Sequence, residues 1–463
     1  MDVFAIVDAL DPVIVIRLLA AAVTLGSGWI IWRETRGSRS IGGVLGLHLH
    51  VLLFYGLGGL TYTWADVPEN FPQPVILAYV ARAMVYIAGG YGIVVLLSAV
   101  RLARNATLDR ARNRLGMREA VRLGLTNLRT LFAAYDSARL FWITVPLAVI
   151  GYVLQDSDVA HAGAGTILVV FQLFVYPLTS VAVILVGGQR RLTSALAFLY
   201  LSLMGYLVTF STWRSRMVFF SCAVFLGLAI RSQRVRLYHV LYTALAIAII
   251  LPFAMVKKLQ YEDVANDPIG AFVNTLQISV ADRLDAITLF WGIRVNGARE
   301  AGYVLHGIET GRTNSQVATV YHDAMLQLIP RTLWPEKPSF NQTGGYYLPR
   351  DIGLVWRFDY QTTWGVDLFG EAGWTFGFAA LLWYFTAAFL IAGFLDWVIN
   401  RFIVSSSVAG FMRLVLFFQM LSIVQVGYQA TFLLWALIVG ALLDVVIRSR
   451  RDAKRFVPLP SPG

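Results

Sequence analysis

Four arginines sit where charge is expensive. Arg17 lies in the first turns of one apolar run and Arg82 about two turns into another; Arg214 and Arg216 flank a serine in the run Ser211-Thr212-Trp213-Arg214-Ser215-Arg216. An arginine at the centre of a membrane-spanning helix costs about 2.5–3.5 kcal/mol on insertion scales, and less near the interface. The plain reading is snorkelling, with the stem along the apolar run and the guanidinium among lipid headgroups. For Arg17 the plain and functional readings balance. For Arg82 and the Arg214/Arg216 pair the functional reading is the stronger, because they converge on one side of the membrane with little acid nearby in sequence. A planar guanidinium takes two phosphate oxygens at once, so this cluster suits a lipid-linked phosphate or pyrophosphate. Arg214 and Arg216 would point about 200° apart on a continuous helix. Either one of them is structural or the helix is unwound there.

Transfer of a group from a phosphate-linked donor also needs a base within hydrogen-bond reach of the acceptor hydroxyl. The candidates are His306, His322, Asp323, Asp285 and Glu371. An ordinary histidine titrates near neutrality, which suits a base; a lone loop histidine is nevertheless more often a plain surface or core residue. Glu371 has a bland alternative as an acid favoured by a helix N-terminus. Arg312, Arg331, Lys337 and Arg350 are further candidates for phosphate or saccharide carboxylates, against local pairing with Glu309, Glu336 or Asp351. Trp334, Trp356, Trp364, Tyr346 and Tyr347 read more readily as an interfacial aromatic belt than as sugar platforms. A metal is not supported. Asp156-Ser157-Asp158 is a two-acid pattern with a high chance rate. His48 and His50 are two apart and cannot share a helix face, so interhelical hydrogen bonds are expected of them.

The elements that must position these residues are membrane helices. The chain of 463 residues is 57% hydrophobic and only 14% charged, whereas a soluble domain carries about 25% charged residues. A nucleic-acid binder is excluded by the same count: the formal charge is +11, but the arginines lie between apolar runs and not on a soluble face. The lone cysteine, Cys222, permits no internal disulfide. The first apolar run is preceded by Asp2 and Asp8 and by no Lys or Arg, so it reads as a retained helix and not a cleaved signal.

At about 20 apolar residues per crossing, spans are expected over 12–32, 41–63, 74–100, 140–155, 164–187, 193–211, 216–230, 237–256, 368–398, 404–426 and 429–447. That makes an all-α integral membrane protein with about eleven transmembrane helices. Arg33, Arg36 and Arg39, the nine arginines from Arg101 to Arg139, Arg190 and Arg191, Arg231, Arg234 and Arg236, and the basic C-terminus all fall on one side if the N-terminus is outside and the C-terminus inside. The positive-inside rule then holds at nearly every turn. Residues 101–139 form a basic cytoplasmic segment, read equally as an amphipathic helix on anionic lipid or as a solvated connector. Residues 257–367 form a long outer loop. It is too long for a connector and too rich in aromatic and aliphatic residues for disorder. A partly helical cap over the outer face is expected, as in the spacing of Phe272, Leu276, Val280, Leu284, Ile287 and Trp291.

Three stretches carry a resemblance to a known family. They are Thr212-Trp213-Arg214-Ser215-Arg216, Leu328-Ile329-Pro330-Arg331-Thr332-Leu333-Trp334-Pro335-Glu336-Lys337-Pro338, and Gly370-Glu371-Ala372-Gly373-Trp374-Thr375-Phe376-Gly377. With the layout of many spans, a long outer loop and few further spans, the chain resembles the O-antigen polymerases (Wzy-type), the oligosaccharide repeat-unit polymerases. The resemblance implies a GT-C-like, metal-independent glycosyltransferase of the bacterial inner membrane that needs no cofactor. Its substrates would be undecaprenyl-pyrophosphate-linked oligosaccharides, joined at the periplasmic face with release of undecaprenyl pyrophosphate. A polysaccharide chain-length regulator would be a possible partner, beside the lipid bilayer itself, and nucleic acid none. Two rival expectations stand beside it: an O-antigen ligase-like enzyme, and a transporter or flippase of lipid-linked glycans, whose polar site should lie near the midplane among broken helices.

Overall fold

A computed structural model describes residues 3–36, 42–62, 73–108, 191–210, 267–284, 296–313, 368–403 and 406–421, with isolated positions between and after them. The elements they form are all helical: α1 (Val3–Asp8), α2 (Pro12–Arg36), α3 (Gly43–Val51), a π-helix (Leu52–Leu57), α4 (Gly58–Tyr62), α5 (Gln73–Leu108), α6 (Arg191–Phe210), α7 (Pro268–Gln277), α8 (Gly297–Glu309), α9 (Leu368–Phe376), α10 (Leu381–Phe402) and α11 (Ser406–Leu421). Four stretches are long and apolar enough to cross a bilayer: Pro12–Glu34, Gly43–Thr61, Val75–Val100 and Phe378–Ile399. The chain is a helical membrane protein.

The first three stretches match the expected spans 12–32, 41–63 and 74–100 to within a few residues. The expected span 193–211 is α6, whose apolar part is the shorter Ser194–Gly205. The expected span 404–426 contains α11. Apart from isolated positions, the expectations at 140–155, 164–187, 216–230, 237–256 and 429–447, and the part of 101–139 beyond Leu108, lie outside the described residues. The expected continuous span over 368–398 is corrected. Gly377 takes φ 81°, a conformation open to glycine at little cost, and a single 3-10 turn over Phe378–Ala380 follows it. The break separates the short α9 from the spanning α10.

The bundle is built on α5. Helices α2, α10 and α8 pack along it, and α3 packs on α11 and α10. Ile16, Val51, Met84, Ile87, Phe385 and Leu416 are among the buried side chains of one continuous core. The second span changes pitch midway, as the π-helix inserts Tyr55 into the core with no exposed surface. The two histidines before it behave as their spacing predicts. His48 Nδ1 shares a 2.7 Å hydrogen bond with the Tyr91 hydroxyl on α5, while His50 Nδ1 donates to the Leu421 carbonyl on α11 at 3.0 Å. They tie the span to different neighbours. At the N-terminal end of the same span, Asp396 of α10 accepts from the Gly43 and Val44 amides at 3.0 and 3.3 Å. It thereby supplies the acceptors that an α-helix start lacks.

The segment expected as a cap contributes a helix to the bundle. Helix α8 is packed between α5, α9 and the second span, and Gly297 to Gly307 are all buried. A β-carbon on Gly297 would lie 2.7 Å from the Tyr55 ring. Tyr55 is six residues inside the end of its span at Thr61, so the start of α8 reaches roughly 9 Å below that end.

Candidate functional site

The site forms around α8, and local sequence explains why a helix stands there. The Asn296 side chain accepts from the Arg299 amide at 3.0 Å and caps the first turn. Glu300 adds an acid to that turn, where the helix dipole favours it. Small residues recur at one-turn spacing, Gly297 with Ala301 and Ala298 with Gly302, which allows close approach to another helix. A β-carbon on Gly302 would fall 2.9 Å from the Val80 Cα. The helix stops at Gly311, whose φ of 69° turns the chain, and the Arg312 amide folds back to the Gly307 carbonyl at 2.9 Å.

The C-terminal end of α8 meets the third turn of α5, and there lies Arg82. Its guanidinium is gripped from two directions. Asp8, the last residue of α1, takes Nε at 2.8 Å and Nη2 at 2.5 Å in a parallel two-point contact. Glu309, the last residue of α8, takes Nη1 at 3.1 Å. The side chains remain 28% (Arg82), 38% (Asp8) and 41% (Glu309) exposed. The Arg82 guanidinium also lies 5.6 Å from the centre of the Tyr79 ring, a cation–π arrangement. Arg82 holds the Asp8 carboxyl below the usual carboxylate range.

His306 lies one turn before Glu309. It is 6% exposed, and its ring meets the Tyr79 ring edge-on at 4.9 Å. Its Nδ1 is buried, with no hydrogen-bond partner among the described residues. Burial and the neighbouring Arg312 push the imidazole below its ordinary value, and Glu309 opposes them in part. The ring is therefore neutral at physiological pH, with one nitrogen able to accept a proton. Tyr79 links it to Arg82, packing T-shaped against the imidazole and lying beneath the guanidinium.

Several of the residues selected from sequence come together here. Arg82 and His306 share Tyr79 and Glu309, and Arg312 is exposed beside them. Helix α9, which carries Glu371, packs on α8, where the Trp374 indole donates to the Thr313 hydroxyl at 3.1 Å. Arg350 is buried on a segment whose Ile352 packs against Gly307. Arg17 is exposed on α2. Arg214, Arg216, His322, Asp323, Arg331 and Lys337 lie outside the described residues.

Sequence reasoning overlooked four residues of this region. In the sequence Asp8 bears only on the question of a signal peptide, and nothing singles out Tyr79. Arg299 and Glu300 are each 5% exposed inside α8, where Arg299 lies 5.3 Å from the Tyr303 ring centre. The small-residue spacing of Gly297, Ala298, Ala301 and Gly302 was the available signal that this polar stretch is packed and not solvated. Among the described residues, no three His, Cys, Asp or Glu side chains gather as a metal site would require. No protein-family model matches the chain, and no curated protein or solved structure matches it.

Proposed function

We propose that the chain is a bacterial surface-polysaccharide polymerase, acting on an O-antigen, exopolysaccharide or capsule. It joins undecaprenyl-pyrophosphate-linked repeat units at the periplasmic face of the inner membrane. The observation that carries this reading is the meeting of Arg82 and the buried His306 on either side of Tyr79, where α8 packs on α5, with Arg312 near the imidazole. In the reaction the acceptor hydroxyl oxygen forms a bond to the anomeric carbon of the donor. The carbon–oxygen bond to pyrophosphate breaks, and its electron pair leaves with the pyrophosphate. His306 takes the hydroxyl proton, and arginine charge stabilises the leaving group. Arg214, Arg216, Arg331, Lys337 and Arg350 are the other candidate cations, and His322, Asp323 and Glu371 the other candidate bases.

The test is elongation in vitro. Purified protein in nanodiscs receives lipid-pyrophosphate-linked repeat units with EDTA present. A ladder of longer glycans with released lipid pyrophosphate is expected, lost in Arg82→Ala and His306→Ala while both still fold. Because the His306 imidazole is pushed below its ordinary value of about 6.5, activity should fall only as pH drops below that value. Attachment of a finished chain to a different acceptor would identify a ligase instead. One observation favours a third reading: the second span is interrupted by a π-helix beside the buried His48–Tyr91 pair, as a transporter's midplane site would be. Flipping of lipid-linked glycan in proteoliposomes, with no elongation from several authentic repeat units, would establish that reading and sink the polymerase.

A further inference from the structure

The two-point contact between Asp8 and Arg82 has the geometry in which arginine binds a phosphate. Asp8 presents two oxygens, at 2.8 and 2.5 Å, where a phosphate would present its own. The carboxylate is tethered on α1, whose Val7 is buried in the core against which α5 packs, so its effective concentration at Arg82 is high. It is also exposed, as is Glu309, so an anion from solvent can reach the guanidinium and exchange with either.

This arrangement meets a problem that an interfacial arginine always faces. Membrane phospholipids are phosphodiesters with one negative charge on two free oxygens, and they crowd the same surface. Left open, Arg82 would hold one of them. A phosphodiester offers the guanidinium nothing that Asp8 does not, since charge and number of oxygens are equal, and Asp8 is already in place. A pyrophosphate diester, the linkage of the lipid-linked donor, brings two charges and four free oxygens, and can displace it. We infer that Asp8, seconded by Glu309, is a specificity-determining residue that keeps phosphodiester headgroups off Arg82 and admits only di- or polyanionic phosphate. The inference rests on the reading of Arg82 as a phosphate ligand.

The experiment measures binding of inorganic pyrophosphate to the full chain by calorimetry. Micelles of a phosphate-free maltoside detergent are compared with phosphatidylcholine nanodiscs, for wild type, Asp8→Asn, Glu309→Gln and Arg82→Ala. Wild type should bind pyrophosphate equally in both. Asp8→Asn should bind it about ten-fold more tightly in the micelles and lose that gain in the phosphodiester-bearing discs. Glu309→Gln should shift the same way by less. If Asp8→Asn binds no more tightly in micelles and shows no sensitivity to the phosphodiester lipid, while Arg82→Ala abolishes binding, Asp8 is only a positioning residue and the inference fails alone. If Arg82→Ala binds as wild type does, the phosphate reading of Arg82 fails and the inference falls with it. Melting curves of each variant separate lost binding from lost fold.

Discussion

Two carboxylates, one at each end of the second span's neighbourhood, do opposite work. Asp396 gives both oxygens to the Gly43 and Val44 amides and so fixes the start of a spanning helix. Asp8 gives both oxygens to the Arg82 side chain across an exposed junction. The first partner is backbone that has no other conformation to adopt, and stripping a helix start of its acceptor costs about 1–2 kcal/mol. The second partner is a side chain in contact with water, where an ion pair is worth about 0–1 kcal/mol. One contact is made to last and the other can be exchanged. Exchange is what a binding site needs, so the weaker contact is the better functional candidate.

The largest expected effect breaks the frame in which Arg82 is held. Gly302→Val puts a branched side chain against the Val80 backbone of α5, where even a β-carbon would be at 2.9 Å. Overpacking of this kind costs about 1–3 kcal/mol, and more where backbone must move. Thermal unfolding in detergent should show a fall of several degrees or loss of folded protein. Wild-type melting would mean that α8 is not inserted against α5. Asp396→Ala comes next, at about 1–2 kcal/mol. It should lower the melting temperature and leave pyrophosphate affinity unchanged. A matched loss of affinity would erase the distinction between the two ends.

Much of the frame was legible in the sequence, and its failures have physical causes. The first three spans stand out because apolar length alone specifies them. The break at Gly377 was hidden because an apolar run looks the same on both sides of a turn. The π-helix was hidden for a related reason, since Leu52–Leu57 has the composition of any buried helix. Helix α8 carries Arg299, Glu300 and His306 in thirteen residues, too short and too polar to read as a membrane element. Arg82 was legible as an anomaly, but its partners were not. Asp8 and Glu309 are 74 and 227 positions away, and a search for nearby acid finds neither. The pairing weakens the argument from an isolated arginine and replaces it with one from an exchangeable pair.

The third prediction sharpens the comparison through pH. The Asp8 carboxyl is held below its ordinary value in the folded chain. Its ion pair therefore contributes stability at neutral pH that persists down to the ordinary aspartate value of about 3.9. That stability is lost as pH falls further, through the lowered folded value. Solvent screening keeps it under about 1 kcal/mol. The melting difference between wild type and Asp8→Asn should be small at pH 7, shrink in high salt, and vanish in acid below about pH 3.9. A difference that grows in acid would assign Asp8 another partner.

The smallest effect is expected of Glu309→Gln. Glu309 reaches Arg82 through one contact at 3.1 Å, against the two shorter ones from Asp8. It is also the more exposed of the two acids. A single exposed contact of this kind is worth about 0.2–0.5 kcal/mol, so the melting temperature should move by a degree or so at most. The double variant with Asp8→Asn then decides how the guanidinium is held. Additive losses mean that each acid holds Arg82 independently, so a phosphate can displace one and keep the other as neighbour. A loss larger than the sum means that Glu309 takes over when Asp8 leaves. The arginine would then never stand open, and an incoming anion would have to displace both carboxylates at once.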